Sequence, residues 1–507
     1  MITAIGFDTE RYLAEQSRPI VERCERAGNK LYLEFGGKLA YDFHAARVLP
    51  GYDPNVKIRL LRQLANRAEI LVCIYAGDIA RKKMRADFGI PYDADALKLI
   101  DDLREWGLAV RAVVITRYDE QPAARVFKAR LERRGVAVYT HRATRGYPTD
   151  VDLIVSEEGY GANQYIPTER PIVVVSGPGP GSGKLGTCLS QLYHEHRRGV
   201  RAGYAKFETF PIWNLPLKHP VNVAYEAATV ELRDVNLIDP YHLTAYGVQT
   251  VNYNRDVEAF PLLRRILERI TGGGTMYQSP TDMGVNRVGF AIIDDAMVQE
   301  AARQEVIRRY FRYACEYALG LVEREDAERA ELIMRELGLD PEHRAVVAPA
   351  RLAAAAAEAN GKGNNGTFCG AAVELPDGTI VTGKNSPLMH AASAVVLNAI
   401  KHLSRLPDEI HLLAPSVVES IAALKKHTLR MRSVSLDLNE TLIALAISAT
   451  TNPAAQVAME KLKELQGREF HTTHLPTPGD EAGLRRLGLN VTSDPVFASR
   501  FLVGYLV

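Results

Sequence analysis

The stretch PIVVVSGPGPGSGKLGTCLSQLYHEHRRG, residues 171–199, sets an apolar run against a glycine-rich loop that ends in Lys184 and opens a helical pattern. The run Ile172 to Val175 is short, β-branched and bounded by proline and glycine, which predicts a buried strand. Beyond the loop, Leu185, Cys188, Leu189, Leu192 and Tyr193 recur at the spacing of one helix face, and Arg197, Arg198 and Gly199 supply a basic last turn and a C-cap. Strand, glycines, lysine and helix in this order predict phosphate binding. A helix start presents unpaired N–H groups and about half a positive charge. Glycines let an anion approach that backbone, and Lys184 adds a full charge.

The usual phosphate-loop string is G-x-x-x-x-G-K-[ST]. Here five residues separate Gly177 from Gly183, and Leu185 stands where a magnesium-binding hydroxyl is expected. The longer spacing resembles the loop of dethiobiotin synthetase and its relatives, and CTP synthase is similar in having no hydroxyl directly after the lysine. Gly177, Gly179, Gly181, Ser182, Gly183 and Lys184 are therefore expected to hold ATP or another nucleotide, with Thr187 as a second nearby hydroxyl. The competing reading is a plain turn between a core strand and a core helix. The next strand, within VRAGYAKFETF, places Tyr204, Lys206 and Glu208 on one face. A parallel strand reached by a short helical crossover ends beside the phosphate loop, so Lys206 and Glu208 are expected to point toward the nucleotide. Glu208 is the expected Mg²⁺ ligand, since Mg²⁺ on a nucleotide takes one or two carboxylates besides phosphate oxygens. A strand-end ion pair is the alternative.

At 507 residues the chain should hold about three domains. A hydrophobic content of 47% with 24% charged residues is that of an ordinary soluble globular chain, and a net charge of +1 gives no global case for nucleic acid or an anionic membrane. Five scattered cysteines without a C-x-x-C pair suit reduced thiols in the cytoplasm. No apolar leader and no run of about eighteen apolar residues is found, so neither signal peptide nor membrane span is expected. Residues 1–163 alternate apolar runs (KLYLEF, EILVCIYA, LAVRAVVIT, VAVYTH, DLIVSE) with helical patterns, which predicts an α/β, Rossmann-like domain with a mainly parallel sheet. Residues 164–293 form the expected phosphate-binding domain. Within it, 211–247 reads as mostly loop with one short helix around Val223 to Leu232, carrying His219 as an acid–base group, and 271–292 as a glycine-rich substrate loop carrying Asp282. Lys184, Lys206, Glu208, His219 and Asp282 are the expected catalytic set, acting on a small molecule.

Residues 294–341 read as a charged helical connector that also offers a surface for a homo-oligomer. Residues 342–507 open with a helix, then a hairpin turned by Pro376-Asp377-Gly378, then a helix starting near His390. That order resembles the cytidine deaminase fold, in which a [HC]-A-E start and a later P-C-x-x-C start bind zinc. Here they read His390-Ala391-Ala392 and Pro415-Ser416-Val417-Val418-Glu419, so the general acid and both cysteines are missing. Deamination and zinc are rejected on that ground, and His390 is assigned to capping or packing. His471 and His474 lack a third metal ligand.

The strings GPGPGSGKLGTCLSQLYHE, KFETFPIWNLPLKHPVN, VNYNRD, SPTDMGVN and GKNSPLMHAAS resemble, over essentially the full length, the bacterial family known as domain of unknown function 1846 (UPF0371 type). That resemblance implies no reaction. H-E-x-x-H and G-x-S-x-G are absent, so no peptidase is indicated. Two classes remain: a nucleotide-dependent phosphotransferase or ligase, and a nucleotide- or phosphate-responsive binding or scaffold protein.

Overall fold

The computed structural model describes residues 5–85 and 89–499, and the chain divides into two compact units, Met1–Ala302 and Arg303–Val507. In the first unit seven strands form one sheet in the order Gly284–Val285, Gly203–Phe207, Leu31–Phe35, Ile172–Ser176, Ala68–Tyr75, Val110–Thr116, Val138–His141. Every pairing in it is parallel. Its middle strands are buried throughout, as a parallel sheet covered on both faces by crossover helices requires. The helices Lys184–Arg197 and Asn254–Thr271 pack over one face, against Tyr32, Cys73, Val173, Val175 and Tyr204.

The strand order locates a crevice. Ile172–Ser176 and Ala68–Tyr75 are neighbours, yet the chain leaves the first toward Gly203–Phe207 and the second toward Val110–Thr116, on opposite sides of the pair. Loops that diverge in this way open the place where ligands bind in open α/β sheets, and the glycine-rich loop follows the first of these strands.

Three expectations are corrected. The boundary at 163/164 is not a break, because Ile172–Ser176 inserts between Leu31–Phe35 and Ala68–Tyr75 and completes their sheet. The run at 152–157 is not a strand: the Asp150 side chain accepts from Leu153 N at 3.0 Å and starts the short helix Val151–Ile154. The segment 211–247 is not mostly loop, since it holds the helices Pro220–Ala228 and Pro240–Tyr246 and the strand Asn236–Ile238, which pairs with Val251–Tyr253.

In the second unit, residues 295–318 and 324–336 are helical, the first helix beginning in the other unit. A four-stranded mixed sheet runs Ile380–Lys384, Gly370–Glu374, Glu469–Thr472, Asn490–Ser493, and its hairpin turns at Pro376-Asp377-Gly378 as the sequence predicts. The helices Ala391–Leu403, Leu438–Ala449 and Pro478–Arg486 share its core. All five cysteines are free. Among the described residues no helix is long and apolar enough to cross a membrane.

The first unit buries an ion pair that tests its packing. Lys57 Nζ lies 2.8 Å from Asp42 Oδ2 with the lysine side chain fully enclosed, and it also donates to Lys38 O at 3.0 Å. Burial works to raise the Asp42 pKa, but the Lys57 ammonium beside it holds the carboxyl below its ordinary value. Asp42→Ala strands that ammonium, and chemical denaturation is expected to show a loss of about 3–5 kcal/mol, part of which returns when Lys57→Met is added.

Candidate functional site

The glycine-rich loop joins Ile172–Ser176 to Lys184–Arg197 through two residues in the left-handed region, Gly181 at φ 72° and Gly183 at φ 89°, the second being the helix N-cap. Glycine is required here on steric grounds as well. A Cβ at Gly183 would lie 2.6 Å from Thr116 Oγ1, and one at Gly179 would collide with the Tyr92 hydroxyl. The Thr116 hydroxyl donates to Ser182 O at 2.7 Å, which ties the loop to the end of Val110–Thr116. The backbone N–H groups of residues 181–186 donate to no other group among the described residues. They are the orphan donors of a helix start gathered on one loop.

Lys184 lies under this loop, 9% exposed, and Nζ donates to Gly179 O at 3.2 Å and Ser182 Oγ at 3.4 Å. Burial lowers its pKa, while Glu34 works the other way. Thr187 departs from expectation: its hydroxyl accepts from Cys73 Sγ at 3.4 Å in the core beneath the helix.

Two strands over, alternation brings Tyr204, Lys206 and Glu208 to the same face as expected, but Leu31–Phe35 lies between their strand and Ile172–Ser176, so the strand does not end directly beside the glycine-rich loop. Glu34 sits in register with Lys206 and accepts from the Tyr204 hydroxyl at 2.7 Å. Lys206 donates to the Tyr253 hydroxyl and to Asp256 Oδ2, and its Nζ stands 2.9 Å from Glu208 Oε1. That last contact is an ion pair without hydrogen-bond alignment, so Glu208 Oε1 is buried with no hydrogen-bond partner. Burial first, with Asp256 adding and Lys206 opposing, pushes the Glu208 carboxyl up to about 7. Burial disfavours the Lys206 ammonium, but Asp256 and Glu208 prevail and hold its pKa well above the ordinary value. The cluster thus holds one locked ammonium and one carboxyl that exchanges its proton near neutrality.

His219 and Asp282 are not brought to this cluster. The His219 ring caps Pro220–Ala228, Nδ1 accepting from Val221 N at 3.3 Å while Nε2 lies 3.0 Å from Asp295 Oδ1. Asp282 Oδ2 accepts from the Tyr246 hydroxyl at 3.0 Å and Gln278 N at 3.1 Å inside its own turn. Tyr253 and Asp256, which this cluster does include, lie outside the catalytic set expected from the sequence. The signal that finds them is a polar strand end followed directly by a helix start, the arrangement already recognised at Lys184. In the second unit, His390 Nδ1 lies 2.7 Å from Asp480 Oδ2, so the helix start facing His390 is that of Pro478–Arg486 rather than the Pro415 start expected. His471 and His474 turn to separate partners, Thr492 and Thr473. Among the described residues no group of three or more His, Cys, Asp or Glu is placed to hold a metal ion.

The Glu208 carboxyl carries a pH signature. With its folded pKa raised from 4.5 to about 7, it stabilises the fold fully below the unfolded value, and that contribution is lost as pH rises through 7. Glu208→Gln, which fixes the neutral form, is expected to gain in melting temperature relative to wild type on going from pH 5 to pH 8. A constant difference across that range would show that the carboxyl does not titrate there.

Two family models cover this chain: "Domain of unknown function DUF1846, N-terminal" over residues 5–338, and its C-terminal counterpart over residues 342–503. A UPF0371 protein of Clostridium botulinum (strain Langeland) is 58% identical over 499 residues, covering 98% of this chain and 99% of its own. UPF0371 proteins of Fusobacterium nucleatum and Clostridium tetani are 57% and 56% identical over the same shares of the two chains. Matched by both models end to end and by relatives at this identity, the chain belongs to the DUF1846, or UPF0371, family.

Proposed function

We propose that the first unit binds the phosphates of ATP or another nucleotide on residues 177–184 and that the protein is a phosphotransferase or ligase acting on a small metabolite. The observation that carries this reading is the run of undonated N–H groups at 181–186 beside the buried Lys184, placed at the crevice of the parallel sheet. Phosphoryl transfer asks the protein chiefly for positioning and for charge stabilisation, which open amides and a lysine supply. Lys206 and Glu208 stand two strands away, beyond Leu31–Phe35, as the acceptor side of such a site.

Glu208 is the carboxylate available to Mg²⁺. Its Oε1 has no hydrogen bond, but a bare ion there would meet the Lys206 ammonium 2.9 Å away. The residue therefore fits a hydrated Mg²⁺ carried in on the phosphates better than a resident metal. A second reading, a protein that binds nucleotide without turnover, is favoured by Leu185 in the hydroxyl position and by the commitment of Glu208 to Lys206.

Thermal unfolding with ATP, GTP, CTP and a non-hydrolysable analogue, with and without Mg²⁺, tests the reading. A ligand at a hundred times its Kd adds about 2.7 kcal/mol, so wild type should shift upward and Lys184→Ala should not. If no nucleotide stabilises wild type, the proposal is wrong. A shift without turnover on metabolite mixtures selects the second reading.

A further inference from the structure

Arg117 follows the last residue of Val110–Thr116, and three observations set it apart. Its backbone is left-handed at φ 48°, a conformation that costs a non-glycine residue energy and concentrates at functional sites. Its side chain is exposed, with the guanidinium lying over the Tyr75 ring 3.5 Å from the centroid and Nη2 donating to Gly181 O at 2.5 Å. Among the described residues it pairs with no carboxylate, whereas Arg81, Arg85 and Lys206 are matched to Asp78, Asp95 and Asp256.

The glycine-rich loop thus carries two cations, each held by a neutral carbonyl: Lys184 on Gly179 O and Arg117 on Gly181 O. A phosphate oxygen outcompetes a carbonyl for such donors, because it brings a full opposite charge where the carbonyl offers only a dipole. Neither cation can drift from the loop. Lys184 begins the helix, and Arg117 is anchored by the Thr116 hydroxyl on Ser182 O at 2.7 Å. We infer that Arg117 is a second phosphate-binding residue of this site and that the site takes a ligand with at least two linked phosphoryl groups, one toward Lys184 and one toward Arg117. This inference rests on the phosphate reading of the loop and narrows it to diphosphates and triphosphates.

Calorimetric titration of the full chain with inorganic phosphate and with pyrophosphate, at fixed ionic strength, separates the two claims. Wild type is expected to prefer pyrophosphate. Arg117→Ala, checked for an unchanged unfolding midpoint without ligand, is expected to lose roughly tenfold in pyrophosphate affinity and little for phosphate, with Arg117→Lys recovering part of the loss. Arg117→Ala binding pyrophosphate as tightly as wild type overturns the inference. So does an equal loss for both anions, which would mean that Arg117 only shapes the loop. Wild type binding neither anion brings down the nucleotide reading itself, a result that no Arg117 variant can mimic.

Discussion

Lys206 is a full positive charge placed 8% exposed near the end of Gly203–Phe207, the strand next to the sheet edge, and the segments around it are drawn together to answer that charge. An isolated buried ammonium is prohibitive, so it must be paired and hydrogen-bonded. The answer comes from three separated parts of the chain: Glu34 in register on the next strand, Glu208 just beyond its own, and Tyr253 and Asp256 at the start of Asn254–Thr271. The edge strand has to approach as well. A Cβ at Gly284 would lie 2.9 Å from Glu208 Oε2, so Gly284 lets the edge strand close on this carboxylate.

The charge count of that cluster explains its chemistry. Glu34, Glu208 and Asp256 face Lys206, with Lys184 close enough to feel both Glu34 and Lys206. Carboxyl groups outnumber ammonium groups there, and burial together with Asp256 raises the Glu208 pKa against the pull of Lys206.

What could be read from the sequence was what is local. The strand Ile172–Ser176, the glycine loop and the helix after it are written in adjacent residues, and the shared face of Tyr204, Lys206 and Glu208 follows from period-two alternation. The strand order was not legible, because it pairs Leu31–Phe35 with segments more than a hundred residues away and apolar runs carry no address. Several polar residues are helix caps, His219 of the expected catalytic set among them. His219, Asp239 and Ser279 each stand immediately before a proline that opens a helix, a position where a side chain is needed to take the orphan N–H groups. The same rule places Asn452 and Thr477 in the second unit. Asp150 caps without a proline, ahead of Val151, and makes a helix where a strand was expected.

The insertion of Ile172–Ser176 into the middle of the sheet fixes an order of assembly during synthesis. Leu31–Phe35 pairs only with Ile172–Ser176 and Gly203–Phe207, both of which leave the ribosome long after it. Ala68–Tyr75, Val110–Thr116 and Val138–His141 can pair among themselves meanwhile, but Ala68–Tyr75 presents a bare edge of unpaired backbone groups until residue 172 arrives. At about 5–20 residues per second that edge stays open for seconds, so the nascent chain needs shelter before its central strand is made.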